Sequence, residues 1–244
     1  MSANPPKRFQ LIACKVMQKE AYFCAVRSLN IIDIVFMKQG LHDTPDLLRQ
    51  EVCAALARTH DVQGNLYDAT LLGYGLCSNG IVGLTAEIPI VVPRAHDCIT
   101  LLLGSKERYK EYFDTHRGIY WYSPGWIEFG KTPSRQYYEA KLHDYEARYG
   151  PDNARYLLEA EQGWLSEYAW ATYIDWGLPA AEDYRQYTRQ AAEHLGLNYD
   201  EVPGDPSLMQ RFLDGDWTDA DFLVVSPGKT IADDLTGNSI IRAD

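Results

Sequence analysis

No apolar run in this chain approaches the roughly 20 residues of a membrane-spanning helix. The opening MSANPPKRFQ also lacks the apolar segment of a secretory signal, so a soluble, cytoplasmic protein is expected. Positive charge is scarce: 23 Lys and Arg against 34 Asp and Glu leave a formal net charge of -11. Nucleic-acid binding depends on clustered Lys and Arg that displace counterions, so that balance argues against a nucleic-acid partner, and against acidic membranes for the same reason. Cysteine is sparse and odd in number, five in 244 residues, which excludes a fully paired disulfide framework. In a reducing compartment such residues are free thiols and metal ligands in waiting. A complete dinucleotide fingerprint is missing too, because Gly73 and Gly75 are followed by Cys77, Ser78 and Asn79, and Gly80 comes late.

What is present is enough to bury a core: 46% of the residues are hydrophobic, in one large α/β domain or two lobes. Short apolar runs at residues 8–14, 31–37, 68–74 and 88–92 alternate with helical patterns, the signature of a parallel sheet with crossover helices. A helix is predicted from Thr44 to about Thr59, with Asp43 or Thr44 as cap, Pro45 in first place and an apolar stripe of Leu47, Leu48, Val52 and Leu56. Cys24 and Cys53 fall in helical patterns beside apolar residues and read as core. After Cys98 follow a short apolar helix, a helix capped by Ser105, and a strand in GIYWYSPGW. Residues 133–163 are charged, aromatic and helical with a break at Gly150-Pro151, and a further helix from Pro179 to Leu195 ends at Gly196. Most of the 17 Tyr and 6 Trp lie between Tyr109 and Tyr187, where they are expected to pack helices together and line a lobe interface.

The fold class expected is α/β, with open, mostly parallel sheets and flanking helices in two Rossmann-like lobes. The first, residues 1–117, carries the Cys/His site; the second, 118–244, contains a helical, aromatic-rich insertion at about 133–195 and a terminal α/β unit. That terminal unit echoes the first half: DPSLMQRF at 205–212 parallels DTPDLLRQ at 43–50, and DFLVVSPG at 221–228 parallels DATLLGYG at 68–75. Duplication and chance account for the echo equally well.

Three cysteines stand where predicted strands run out: Cys14 closes RFQLIAC, Cys77 lies in DATLLGYGLCSNG, and Cys98 ends IPIVVPRAHDC. Loops at the carboxyl ends of parallel strands converge on one crevice, so these thiols are expected to meet at a metal or cluster site. His96 stands two residues before Cys98, close enough for both to bind one ion. Asp97 between them can orient a ligand or act as a base, and Arg94 can pair with a carboxylate or phosphate. Gly75 would let a ligand approach the backbone, with Ser78 and Asn79 beside an anion at the start of a following helix. His42, in GLHDTP, faces the same edge as a fourth ligand, a general base or a turn cap. Lys229 in SPGKTI has the look of a phosphate-loop lysine without the glycine spacing, and is expected only as an anion contact.

The blocks VFMKQGLHDTPDLL, LLGYGLCSNGIVGL, PRAHDCITLLLGS and YWYSPGWIE resemble those of the bacterial and archaeal domain-of-unknown-function 1638 family, over about residues 8–230. The resemblance implies an association with corrinoid-dependent methyltransferases, hence a role in methyl or one-carbon metabolism. His96, Cys98 and either Cys77 or Cys14 are locally similar to the His-x-Cys plus Cys set of zinc methyltransferases that activate a thiol. Cys14, Cys77 and Cys98 are locally similar to quinolinate synthase and diphthamide-type enzymes, whose α/β units each give one cysteine to a [4Fe-4S] cluster with one iron open to substrate. Three functions are therefore expected. The first is a zinc enzyme for a small anionic substrate, with the metal on Cys77, His96 and Cys98 and Cys14 or an open position as fourth. The second is a [4Fe-4S] enzyme on the three cysteines. The third is a non-catalytic accessory that meets the corrinoid only through a corrinoid protein, docked on the aromatic middle. An oligomer is compatible with each.

Overall fold

The computed structural model describes residues 5–234 and 239–244. Along the chain run β1 (Arg8–Cys14), α1 (Gln18–Ala25), β2 (Ile31–Met37), α2 (Pro45–Leu56), β3 (Ala69–Gly73), β4 (Ile90–Pro93), α3 (Ile99–Leu103), α4 (Lys106–Thr115), β5 (Ile119–Tyr122) and α5 (Pro124–Phe129). There follow α6 (Arg135–Tyr149), α7 (Pro151–Gln162), β6 (Trp170–Asp175), α8 (Ala181–Leu195), β7 (Asn198–Pro203), α9 (Ser207–Asp214), β8 (Phe222–Val225), β9 (Ile231–Asp233) and β10 (Ile241–Ala243). The expected α/β class holds: the larger sheets are mostly parallel and flanked by helices. No helix of the described residues is long and apolar enough to cross a membrane.

The chain forms two compact units. The first takes Met1–Arg108 and Asp205–Asp244 and holds a five-stranded sheet in the order β2-β1-β3-β4-β8. Strands β3 and β4 are buried throughout and β1 nearly so, which is why their sequences are mostly apolar; the buried polar exceptions, Gln10 and Thr70, meet each other, Thr70 donating its hydroxyl hydrogen to the Gln10 side-chain carbonyl at 3.3 Å. Edge strand β2 is half-buried. Pro45 opens α2 and Leu48, Val52 and Leu56, spaced by four, are its buried stripe. Leu47 and Cys53 sit about 100° away around the helix from stripe residues and are exposed, so the expectation of Cys53 in the core fails. Thr44 occupies the cap position without a side-chain cap bond. Cys24 is fully buried as expected.

The C-terminal segment corrects two expectations. Strand β8 pairs antiparallel with β4, Ile90 opposite Val225 and Pro93 opposite Phe222. Residues 205–244 therefore return to the first unit, whereas the sequence division at 117/118 assigns them to the second lobe. DFLVVSPG is thus no structural repeat of DATLLGYG, since β3 runs parallel to its neighbours and β8 against β4. Helix α9 secures the return: Phe212 stacks on Phe222 at 5.4 Å, both rings 1% exposed.

The second unit, Tyr109–Gly204, has a parallel sheet in the order β5-β6-β7. Helix α8 buries Tyr184, Thr188, Ala191 and Ala192, one face at helical spacing, and its core neighbours include Tyr122, Ala171 and Tyr173. The aromatic load is largely this core; Tyr122 donates its hydroxyl hydrogen to the Pro133 carbonyl at 2.8 Å. Strands β6 and β7 are not announced by the sequence pattern, because NYDEVP is polar and becomes a strand by pairing along β6.

Candidate functional site

Strands β1, β3 and β4 are parallel, so their carboxyl ends open on one edge of the first unit. Cys14 is the last residue of β1. The loops after β3 and β4 are stitched together by backbone: Leu76 donates its N–H to the Ala95 carbonyl at 2.8 Å, and Cys77 to that of His96 at 3.0 Å. Gly75 makes the stitch possible, because a Cβ there would stand 2.5 Å from the Asp97 nitrogen. The room left by the missing side chain is filled by the neighbouring loop, not kept for a ligand.

Beyond the stitch, Cys77, Ser78 and Asn79 adopt φ of 45°, 56° and 64°, three left-handed residues in succession with no glycine among them. Each costs roughly 1–2 kcal/mol for an L-residue with a Cβ. The turn is closed by the Gly80 N–H on the Cys77 carbonyl at 3.0 Å. Arg49 of α2 braces it, donating from Nε to the Val82 carbonyl at 2.8 Å and from Nη2 to that of Asn79 at 3.1 Å. Ser78 and Asn79 are exposed here, and no helix intervenes between β3 and β4. The anticipated helix N-terminus beside them is thus replaced by turns.

Cys14 and Cys98 are buried and Cys77 is half-buried. Burial pushes all three thiols up, Cys77 to about 12, and the Asp97 carboxylate adds to the rise at Cys77 and Cys98. Cys14 adds to the rise at Cys77, and Cys14 and Cys77 add to that at Cys98. Tyr74, 3% exposed, follows β3 beside the end of β1: burial first, then these same three cysteines, push its phenol upward. Its hydroxyl has no hydrogen-bond partner among the described residues. Among those residues, too, no group of three or more His, Cys, Asp or Glu side chains is arranged to grip a single metal ion.

The other expected site residues divide. Asp97 accepts the Ile99 N–H at 3.0 Å at the start of α3, and its charge bears on Cys77 and Cys98. His96 is exposed and lines a separate cavity of about 660 Å³ with Leu76, Arg94, Lys106, Asp219 and Asp233, so it diverges from Cys98 despite the i, i+2 spacing. Arg94 serves the fold: its Nη2 meets the Asp219 carboxylate at 2.7 Å, its Nε the Asp219 carbonyl at 2.7 Å, and its Nη1 the Ser239 hydroxyl and the Ile241 carbonyl. His42 follows β2 at the same sheet edge and pairs with Asp43 at 3.3 Å. Lys229 is exposed in the turn after β8; because Val225 lies beside Ile90, that turn is at the amino end of the parallel strands, away from the thiols.

The family model described as Protein of unknown function (DUF1638) matches residues 36–213. The chain belongs to the DUF1638 family. No curated protein and no solved structure gives a match. The span matched to DUF1638 includes Cys77, His96 and Cys98 and begins after Cys14. Within this DUF1638 chain, sequence reasoning passes over Tyr74 and Arg49. A tyrosine between two glycines at a strand end is a usable signal for the first; Arg49 reads as an ordinary helix-surface residue, and only the fold brings it to the turn.

Proposed function

We propose that this DUF1638 protein is a metal-dependent enzyme whose centre is held by Cys14, Cys77 and Cys98, and that the centre is an iron-sulfur cluster. The observation that carries this reading is that Cys14, Cys77 and Cys98 come from adjoining strand ends that also carry the buried Tyr74, whose hydroxyl has no partner among the described residues, with His96 lining another cavity. With His96 exposed and lining another cavity, three sulfur ligands from three strand ends suit a cluster better than one zinc ion on Cys77, His96 and Cys98. When bound, a [4Fe-4S] cluster with three protein ligands supplies a Lewis-acidic iron at its fourth corner. With Arg94 committed to the fold, the negative end of a small substrate would be taken by that iron. We assign the chemistry to methyl or one-carbon metabolism, the corrinoid-linked role that the resemblance of the motif blocks implies.

Metal and sulfide analysis of anaerobically purified protein tests this. About four irons with matching sulfide per chain are expected, lost in Cys14→Ser, Cys77→Ser and Cys98→Ser and retained in His96→Ala. One zinc without sulfide, lost in His96→Ala, supports the mononuclear site instead. Protein that takes up no metal and co-purifies with a corrinoid protein supports the accessory role.

A further inference from the structure

Native proteins satisfy nearly all buried polar groups, because a buried hydroxyl without a partner destabilises the fold. Tyr74 departs from that rule at one particular place. In the parallel register of β1 and β3, Ala13 lies opposite Gly73, so Cys14 and Tyr74 are the next residues on adjacent strand ends. The backbone stitches from Leu76 to Ala95 and from Cys77 to His96 bring the loop of Cys98 against the same end. The Tyr74 ring is 3% exposed and its oxygen has no partner among the described residues. Nearby thiols are weak acceptors, and as protonated groups they leave a phenol O–H poorly satisfied. A thiolate or sulfide sulfur is a charged, much better acceptor.

We propose that the Tyr74 hydroxyl donates a hydrogen bond to a sulfur of the centre held by Cys14, Cys77 and Cys98, and so sets that centre's reduction potential. This rests on the three-cysteine reading above and adds to it a residue that ligates nothing. Hydrogen bonds to cluster sulfurs stabilise the more negative, reduced state and raise the potential. The hydroxyl then has opposite worth in the two forms of the protein: an unsatisfied group in the metal-free chain, a satisfied one in the loaded chain.

The test uses the full chain, metal-free and after reconstitution with ferrous iron and sulfide. Tyr74→Phe is expected to raise the melting temperature of the metal-free protein, and to lower the midpoint potential of the reconstituted one with its iron content unchanged. Fluorotyrosine placed at position 74 alone, a more acidic donor, is expected to move the potential the other way. A reconstituted Tyr74→Phe protein with wild-type potential overturns this inference and leaves the three-cysteine centre standing. Wild-type protein that takes up no iron and sulfide overturns both. If Tyr74→Phe fails to fold, the fluorotyrosine protein decides alone: an unchanged potential there overturns the inference.

Discussion

Gly75 lies so close to Asp97 that a Cβ on the glycine would stand 2.5 Å from the aspartate's backbone nitrogen and 2.7 Å from its Cα. Backbone cannot yield as a flexible side chain does, so the two strand-end loops keep their contact only while residue 75 is bare. Gly75→Ala is therefore expected to part the loops and lower stability by about 1–3 kcal/mol, seen as an earlier urea midpoint. Alkylation of Cys77 and Cys98 should quicken with it. A stable Gly75→Ala protein with wild-type thiol reactivity would contradict the stitched arrangement.

Arg94 is a clamp, and its removal should be felt in the fold. Its side chain is 12% exposed and reaches Asp219 on one side and Ser239 and Ile241 on the other. Arg94→Gln is expected to cost about 1.5–3 kcal/mol, the usual scale of hydrogen bonds to a charged group, and to speed amide exchange around β10. Unchanged exchange there, with weakened binding of a carboxylate ligand, would return Arg94 to the substrate-binding role.

In the metal-free chain the thiols set an alkaline limit. Burial first, and then Asp97, push the Cys77 thiol up to about 12, against about 8.5 in an unfolded chain. The native state thus holds a proton that the unfolded state releases. Stability from this source is complete below about 8.5 and drains away as pH rises toward about 12. Asp97→Asn keeps an acceptor for the Ile99 N–H and removes the charge, so the thiols should become more acidic. Iodoacetamide labelling of Cys77 at pH 8, followed by mass spectrometry, is expected to run several-fold faster in that variant; an equal rate would remove Asp97 from the crevice's electrostatics.

Phe212→Ala tests the return of the C-terminal segment. The ring is 1% exposed and stacked on Phe222 of β8. A loss of about 3–5 kcal/mol is expected, as for other buried Phe→Ala changes, with early exchange in β4 and β8 of the first unit. Exchange confined to the second unit would refute the assignment of α9 and β8.

Much of the first unit is legible in the sequence because its strands are buried and apolar, and a buried parallel strand has few other sequences open to it. RFQLIAC and IIDIVFM become β1 and β2 at the predicted limits. NYDEVP carries no such pattern; its neighbour β6 makes it a strand. The same contrast runs through the site. That Cys14, Cys77 and Cys98 share an edge follows from strand ends and parallel order, both readable from local periodicity. That His96 leaves Cys98, that Arg94 holds the C-terminus, and that Lys229 falls at the far end follow from contacts across as many as 147 positions.

Sequence by itself thus determined the strand-end thiols, the α/β class and the glycine-rich turn, each a matter of a few neighbouring residues. Only tertiary structure decided which of those residues face one another. The direction of β8 and the aim of each loop side chain depend on partners distant in the chain, and a hydrogen-bonding group such as the Tyr74 hydroxyl shows its missing partner only when everything around it is in place.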